Sequence, residues 1–183
     1  MASVLVPLAQ GCEELEAVTV VDLLRRAGIE VITAGLDDQP VHASRGMVLI
    51  ADMTLDAALL REFDMIVLPG GLPGAEHLRN DQRIIDTLKE MAASDRYTAA
   101  ICAAPRVLAE AGLLDGKRAT SFPGALDVTA VVALQYQEAA VVVDGKVITS
   151  RGPGTAMDFA LTLIETLVGR STRDEVEAGL QRV

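Results

Sequence analysis

Short apolar runs alternate with amphipathic stretches along the first part of the chain. The runs indicate buried strands, and stretches with apolar residues three or four positions apart indicate helices. The strands are predicted at residues 4–8, 29–35, 65–68 and 97–101, and the helices at residues 14–27, 55–60, 81–93 and 105–111. Sheets that are buried on both faces show such alternation. The pattern therefore predicts an α/β three-layer sandwich with a mainly parallel central sheet.

The remaining segments carry more local signals. Residues 41–50 suggest a short hairpin or two extended segments, and residues 119–121 a short strand. Residues 135–143 and 146–150 flank Asp144-Gly145, a pair typical of a type I′ hairpin turn. Residues 155–168 predict the last long helix, and Thr172 with Glu175 fits a capping box for a terminal helix. Because no linker or repeat interrupts the pattern, residues 1–183 are predicted to form a single domain.

Composition excludes several classes of protein. Half of the 183 residues are hydrophobic, which fits a well-packed globular domain. A net charge of −10 repels phosphate backbones, so we expect no nucleic acid partner. We also expect no membrane association, because no apolar stretch approaches the roughly 18 residues of a membrane helix and no signal peptide is visible. Two cysteines cannot form a disulfide framework, so a reducing, cytoplasmic location is the simpler expectation.

Cys102 is the strongest candidate for a reactive group. It lies between a predicted buried strand and a predicted helix, among the small residues Ala100, Ala103 and Ala104. This arrangement is typical of a nucleophile elbow, where the helix N-terminus favours the thiolate and lowers the thiol pKa. A buried structural cysteine is the alternative interpretation.

Two further groups are expected at the same edge of the sheet. Gly70 and Gly71 end a predicted strand, where their amides could form an oxyanion hole, although an ordinary tight turn has the same sequence. Glu16 lies in the first turn of a helix, between Leu15 and Val18, both predicted to face the core. A carboxyl group held there is an acid/base candidate, whereas simple complementation of the helix dipole is the alternative.

The other candidates are weaker. Residues 150–155 resemble a phosphate cradle but lack the Lys-Ser/Thr of a P-loop, so a packed turn is the alternative. Cys12 lies four residues before Glu16, and a continuous helix would place both on one face, within reach of Cys102 as a redox partner. His42 and His77 both precede Cys102, which argues against a Cys-His triad. No metal-ligand cluster or dinucleotide fingerprint is present, so we expect no metal and no cofactor.

Four ordered motifs resemble the ThiJ/PfpI superfamily, and most closely its Parkinson-disease-associated protein deglycase branch, which includes bacterial members. The motifs are Glu13-Glu14-Leu15-Glu16, Val67-Leu68-Pro69-Gly70-Gly71, Ala100-Ile101-Cys102-Ala103-Ala104-Pro105 and Thr149-Ser150-Arg151-Gly152-Pro153-Gly154-Thr155. The resemblance covers nearly the whole chain. It implies a flavodoxin-like sandwich that assembles as a homodimer.

The resemblance also implies roles for individual residues. Cys102 is expected to be the oxidation-sensitive nucleophile, and Glu16 the protonated carboxyl group that hydrogen-bonds to it. The amides of Gly71 and Ala103 are expected to line the site. Four further residues are expected at the substrate pocket: Arg26, Arg45, Phe122 and Pro153. Arg45 is also expected to reach across the dimer. Animal members carry a His where this chain has Phe122, and they carry peripheral cysteines where it has Ala43 and Ala51.

Two functions are compatible with this resemblance. The first is a cysteine-dependent, cofactor-free glyoxalase or deglycase that acts on methylglyoxal, glyoxal or early glycation adducts and protects against oxidative and carbonyl stress. The second is a redox sensor or stress chaperone, in which Cys102 oxidises to sulfinic acid and signals without turnover. A peptidase or amidotransferase is disfavoured because no His follows Cys102.

Overall fold

The protein is described by a computed structural model covering residues 1–182. Its strands in chain order are β1 (Ser3–Leu8), β2 (Glu30–Gly35), β3 (Val41–His42), β4 (Val48–Leu49), β5 (Met53–Thr54), β6 (Met65–Leu68), β7 (Tyr97–Ile101), β8 (Arg118–Ala119), β9 (Gln135–Tyr136), β10 (Val141–Asp144) and β11 (Val147–Ser150). Its helices are α1 (Glu14–Arg26), α2 (Leu55–Ala58), α3 (Leu72–Asn80), α4 (Gln82–Ala93), α5 (Pro105–Glu110), α6 (Ala156–Val168) and α7 (Arg170–Gly179). A 3₁₀ turn, Pro153–Thr155, precedes α6.

A seven-stranded sheet forms the middle layer, in the order β10-β11-β7-β6-β1-β2-β5. Every neighbouring pair in it is parallel except β10 with β11. The five main parallel strands lie in the spatial order second, first, third, fourth, fifth, which is the flavodoxin-like order. The predicted α/β sandwich with a mainly parallel sheet is therefore confirmed.

Two hydrophobic clusters cover the two faces of the sheet. Because side chains alternate along a strand, Val4 and Val6 of β1 pack on one face and Leu5 on the other. The first face packs against α1 and α6, where Leu24 and Phe159 are fully buried. The second face packs against residues of α2, α3, α4 and α5. Both faces are thus closed, and the carboxyl ends of the strands form the exposed edge where a site is expected.

Several local predictions differ from the structure. Helix α3 was not predicted, because Pro73 and Gly74 resemble breakers, although Pro is well tolerated in a first helical turn. Residues 135–143 are not one strand: β9 pairs with β8, whereas β10 pairs with β11. An apolar run does not indicate where a chain changes its pairing partner.

One predicted turn type and one predicted helix cap also differ from the structure. The hairpin at β10 and β11 exists, but its two-residue loop is Gly145-Lys146 and only Gly145 has a positive φ, at 61°. A type I′ turn requires two positive φ values, so that turn type was wrong. Helix α7 starts at Arg170 after Gly169, so Thr172 and Glu175 lie inside the helix and form no capping box.

Two positions on the apolar face predicted for α1 were wrong. Leu15 and Val18 are exposed, whereas Glu14 and Glu16 are buried. Glu14 is buried because its carboxylate accepts hydrogen bonds from the amides of Arg45 and Met47, and Glu16 because it accepts one from Gly70. Tertiary contacts of the two carboxyl groups thus decide which face of the helix is inside. None of the helices in residues 1–182 is both long enough and apolar enough to cross a membrane.

Candidate active site

Cys102 occupies a sharp turn between β7 and α5. Its φ of 63° lies in the left-handed region, which is strained for a residue with a side chain. The turn is fixed by two backbone hydrogen bonds, one from the Cys102 amide to the Ser150 carbonyl at 2.9 Å and one from the Phe122 amide to the Cys102 carbonyl at 2.8 Å. A strained residue held between a strand and a helix is the geometry of a nucleophile elbow. The thiol is 9% exposed, at the floor of a crevice.

Glu16 lies behind Cys102 and is fully buried. Its Oε2 accepts a hydrogen bond of 2.7 Å from the Gly70 amide. Its Oε1 is also buried and has no N–H or O–H partner among residues 1–182. The Cys102 side chain lies next to this carboxyl group and lowers its pKa. The structure therefore brings together the two residues that the sequence proposed as nucleophile and acid/base.

The two glycines after β6 have different roles. The amides of Gly71 and Ala103 lie close enough to the Cys102 sulfur to lower its pKa, and their role in an oxyanion hole stays a prediction. The Gly70 amide is already used by Glu16, so the prediction that it faces the oxyanion is wrong. Gly70 instead permits close packing, since a Cβ there would lie 2.6 Å from the Cys102 Cβ and 2.7 Å from Glu16 Oε2.

Burial shifts the pKa values of both Glu16 and Cys102. Burial raises the pKa of Glu16 to about 7. Burial, and then the charge of ionised Glu16, raise the pKa of the Cys102 thiol to about 12. The sequence-based expectation of a lowered thiol pKa is therefore wrong while Glu16 is ionised. When Glu16 holds the proton, its charge no longer raises the thiol pKa, and the amides of Gly71 and Ala103 then lower that pKa against the larger, opposing effect of burial.

The crevice above Cys102 has a volume of about 490 Å³. Among the predicted pocket residues, Arg45, Phe122 and Pro153 line it. Arg26 does not: it lies in the last turn of α1, at the far end of the helix from Glu16, and pairs with Asp22 at 2.7 Å. The prediction for Arg26 is therefore wrong within one subunit.

Glu13 and Ser44 also line the crevice and were not predicted to do so. The Ser44 hydroxyl donates to Glu13 at 2.6 Å and to Glu14 at 3.1 Å, which ties the loop after β3 to the start of α1. Leu72 and Pro73 of α3 form part of the wall. A sequence signal existed for Glu13, since it belongs to the same acidic helix start as Glu16. None existed for the loop at Ser44, which only tertiary contacts bring to the site.

Cys12 lies outside α1, which begins at Glu14 after Glu13 as its N-cap. The condition for Cys12 and Glu16 to share a helix face, a helix that continues through Cys12, is therefore not met. The Cys12 thiol is 1% exposed, and burial together with the charge of Glu14 raises its pKa to about 11. Both thiols are free, and a redox partnership between Cys12 and Cys102 stays a prediction.

The remaining candidates support the site indirectly. The hydroxyl groups of Ser150 and Thr155 form a hydrogen bond of 2.7 Å with each other. The Thr155 hydroxyl oxygen also accepts a hydrogen bond of 3.1 Å from the Gly152 amide. That amide is not free for a phosphate, so the packed-turn interpretation of this segment holds. His42 and His77 are exposed, and neither lines the crevice. In residues 1–182 no group of three or more His, Cys, Asp or Glu side chains could hold a metal ion.

The chain is similar to known proteins over nearly its whole length. Danio rerio Parkinson disease protein 7 homolog is 44% identical over 179 residues, covering 96% of this chain and 95% of that protein. Glutathione-independent glyoxalase DJR-1.2 of Caenorhabditis elegans is 36% identical over 168 residues, 92% of this chain and 89% of that protein. The crystal structure of Drosophila melanogaster DJ-1beta superposes with a TM-score of 0.93 at 41% identity, covering 100% of this chain and 98% of that one.

Some relatives are longer. The chain spans 45% and 39% of the Arabidopsis thaliana proteins DJ-1 homolog A and DJ-1 homolog B, at 43% and 44% identity. A family model, described as DJ-1/PfpI family, matches residues 2–166. With the elbow cysteine and its buried glutamate in place, this match shows that the chain belongs to the DJ-1/PfpI family.

Proposed function

We propose that this chain is a cysteine-dependent glyoxalase that needs no cofactor and converts small α-oxoaldehydes to 2-hydroxy acids. The observation that carries the proposal is the pairing of a strained, crevice-facing Cys102 with the buried carboxyl of Glu16. A relative that is 36% identical bears the name glutathione-independent glyoxalase, which supports the same assignment. Early glycation adducts carry related carbonyl groups and are included as substrates, and the activity would protect against oxidative and carbonyl stress.

The first step forms a carbon–sulfur bond. With the proton on Glu16, the Cys102 thiolate adds to the aldehyde carbon of methylglyoxal, and the aldehyde oxygen takes that proton to give a hemithioacetal. The amides of Gly71 and Ala103 are positioned to stabilise negative charge next to the sulfur. A Glu16 pKa of about 7 allows the group to give up and recover a proton near neutral pH.

The second step moves a proton between carbons. The Glu16 carboxylate removes the proton from the former aldehyde carbon and returns it to the neighbouring carbon, while the hydroxyl proton passes to the neighbouring oxygen. One carbon is thereby oxidised to a thioester and the other reduced to an alcohol, so no external oxidant is needed. Water then hydrolyses the thioester, regenerating the thiol and releasing lactate from methylglyoxal.

The proposal is tested by following methylglyoxal loss and lactate formation without glutathione. Cys102→Ser is expected to abolish turnover. Glu16→Gln should lower kcat by at least about 100-fold, a usual effect of losing a general acid/base, while Cys102 still reacts with a thiol reagent. Cys12→Ala is the matched cysteine control and should retain turnover. Unchanged lactate formation in Cys102→Ser or Glu16→Gln would refute the mechanism.

The same experiment separates the enzyme from a sensor. If wild type produces no lactate but peroxide converts Cys102 to sulfinic acid, the redox sensor or stress chaperone is favoured instead. We further propose a homodimer in the cytoplasm. Two thiols free of disulfide bonding fit a reducing compartment, and an exposed apolar surface on α1 fits self-association.

A further inference from the structure

The crevice above Cys102 is larger than a methyl-substituted dicarbonyl needs. Its volume is about 490 Å³, within the range of about 300–1,000 Å³ that accommodates much larger, drug-sized ligands. Among the described residues that line it, Glu13 and Arg45 carry charge. Much of the remaining wall is apolar, from Leu72, Pro73, Phe122 and Pro153. Such a wall favours a ligand that has an apolar group attached to its reactive carbonyls.

Phe122 is the aromatic residue of this wall, and its backbone is fixed directly to the nucleophile. Its amide donates to the Cys102 carbonyl at 2.8 Å. On the far side of the same segment, Arg106 donates two hydrogen bonds to the Ala125 carbonyl, at 3.0 and 2.7 Å. The position of Phe122 is therefore tied to that of Cys102 by backbone contacts that do not depend on its side chain.

The Phe122 ring is supported on one side and open on the other. A Cβ added to Gly152 would lie 3.3 Å from a ring carbon, so the ring lies closely against this part of the backbone. The side chain nevertheless remains 48% exposed. A supported aromatic ring with a free surface beside a reactive thiol can stack on an aromatic group of a ligand.

We propose that Phe122 is a specificity-determining residue that binds the side group of the substrate, so that α-oxoaldehydes with an aromatic or bulky apolar substituent are preferred over methylglyoxal. This inference rests on the proposed glyoxalase function and names its substrate class. The reaction is unchanged, because the aldehyde carbon and its neighbour are common to all these substrates. The apolar substituent would be buried between Phe122 and the wall formed by Leu72 and Pro153.

The test compares kcat/KM for phenylglyoxal and methylglyoxal, taken from initial rates before either reagent modifies arginine. We expect a ratio above one in wild type. Phe122→Ala should lower that ratio by about tenfold, the range expected for losing an aromatic contact. Phe122→Tyr keeps the ring and should keep the ratio. Val132→Ala truncates an exposed apolar side chain that does not line the crevice and serves as the control.

A second readout does not require turnover. Phenacyl bromide and bromoacetone alkylate thiols and differ in the same aromatic and methyl groups. Their Cys102 alkylation rates, each divided by the rate with free glutathione, should favour phenacyl bromide in wild type and lose that preference in Phe122→Ala. A wild-type circular dichroism spectrum shows that Phe122→Ala is folded. If it misfolds, Phe122→Leu removes the ring while keeping an apolar side chain, and it should lose the same preference.

The outcomes separate the two proposals. If methylglyoxal is converted but the phenylglyoxal ratio does not exceed one, or does not fall in Phe122→Ala, the role of Phe122 is overturned and the glyoxalase proposal stands. If neither aldehyde is converted, the glyoxalase proposal fails. In that case, equal normalised alkylation rates would also remove Phe122 as a binding residue, whereas a Phe122-dependent preference for phenacyl bromide would retain it.

Discussion

At the scale of single residues, the chemistry depends on where one proton resides. Glu16 and Cys102 are both removed from bulk water, and the charge of Glu16 raises the thiol pKa, whereas Cys102 lowers the Glu16 pKa. An isolated thiol at this position would stay protonated at neutral pH. Glu16, whose pKa of about 7 is the lower of the two, is the group available to accept the thiol proton as the sulfur attacks a carbonyl carbon. The reactive unit is therefore the pair.

This pair makes stability depend on pH in a direction that can be measured. Folding raises the pKa of Glu16 from 4.5 to about 7, so folding favours the protonated form. Its contribution to stability is complete below pH 4.5 and is lost as the pH rises to about 7, a change of about 3 kcal/mol. In Glu16→Gln the side chain at this position is uncharged at every pH. Relative to wild type, this variant should therefore gain up to about 3 kcal/mol in free energy of unfolding between pH 4 and pH 8.

Urea unfolding of both proteins at pH 4, 6 and 8 measures this difference. Other carboxyl groups, such as Asp52 and Asp81, have lowered pKa values, and they destabilise both proteins equally on acidification. Subtracting the two curves removes their effect. Parallel curves for wild type and Glu16→Gln would show that Glu16 does not titrate with a raised pKa.

The two cysteines should differ in reactivity although both are buried. Cys102 lines the crevice, with the amides of Gly71 and Ala103 near its sulfur, whereas Cys12 is 1% exposed, lies near Glu13, Glu14 and Glu16, and does not line the crevice. Mild peroxide should therefore add two oxygens to Cys102 before Cys12 changes. Peptide mapping by mass spectrometry locates the oxygens, and Cys102→Ser should remove the fast reaction. Faster oxidation of Cys12 than of Cys102 would contradict this assignment.

At the scale of elements, the end of β6 controls how closely α1 approaches the elbow. Gly70 has no side chain, which leaves room for Glu16 to reach its amide beside Cys102. Gly70→Ala would place a methyl group 2.6 Å from the Cys102 Cβ and 3.0 Å from the Ile101 carbonyl oxygen. We expect a loss of about 1–3 kcal/mol in stability, as in other overpacked cores, together with loss of turnover.

Gly179→Ala is the matched control for this substitution. Nothing lies within 4 Å of a Cβ there, and the residue ends α7 away from the crevice. It should leave the thermal midpoint nearly unchanged or slightly higher, since alanine restricts the unfolded chain. A Gly70→Ala protein with wild-type turnover would show that Glu16 need not lie so close to Cys102.

The elements themselves were largely predictable, because buried strands and two-sided packing leave a clear pattern of apolar runs. The exceptions share a cause. Two positions on the apolar face of α1 were wrong because Glu14 and Glu16 find hydrogen-bond partners far away in sequence, in the 43–47 loop and at Gly70. Likewise, the division of residues 135–143 into β9 and β10 depends on partners elsewhere in the chain. Local pattern cannot register such long-range partners.

The site shows the same limit. The sequence indicated Cys102, Glu16 and Gly71 because the ends of parallel strands meet at one edge, and Ala103 through the family resemblance. The charge state of Cys102 could not, because it depends on burial and on the distance to Glu16. Arg26 was misplaced for a geometric reason: it lies at the opposite end of α1 from Glu16.

At the scale of the whole molecule, exposed apolar residues of α1 are joined by exposed apolar residues of another segment. Leu15 and Val18 are exposed on the helix, and Met47, Val48 and Ile50 are exposed on the segment beside it. Val18 and Ile50 line one groove together, and the five exposed residues are called the α1 patch. Exposed apolar residues grouped in this way can mark an interface between proteins. Arg45 lies two residues before Met47, its amide donates a hydrogen bond to Glu14 of α1, and the residue also lines the crevice, so assembly would lie close to the reactive site.

We therefore expect a homodimer formed through the α1 patch. Light scattering should give about twice the 19.3 kDa mass of one chain at micromolar concentration. Val18→Asp or Ile50→Asp would bury a charge in the interface without a partner, and either should shift the mass toward that of one chain. Leu60→Asp places the same charge on a residue that is 88% exposed outside the patch, and should leave the dimer intact. A wild-type mass near 19 kDa, or a dimer that persists in Val18→Asp and Ile50→Asp alike, would show that the α1 patch is not the interface.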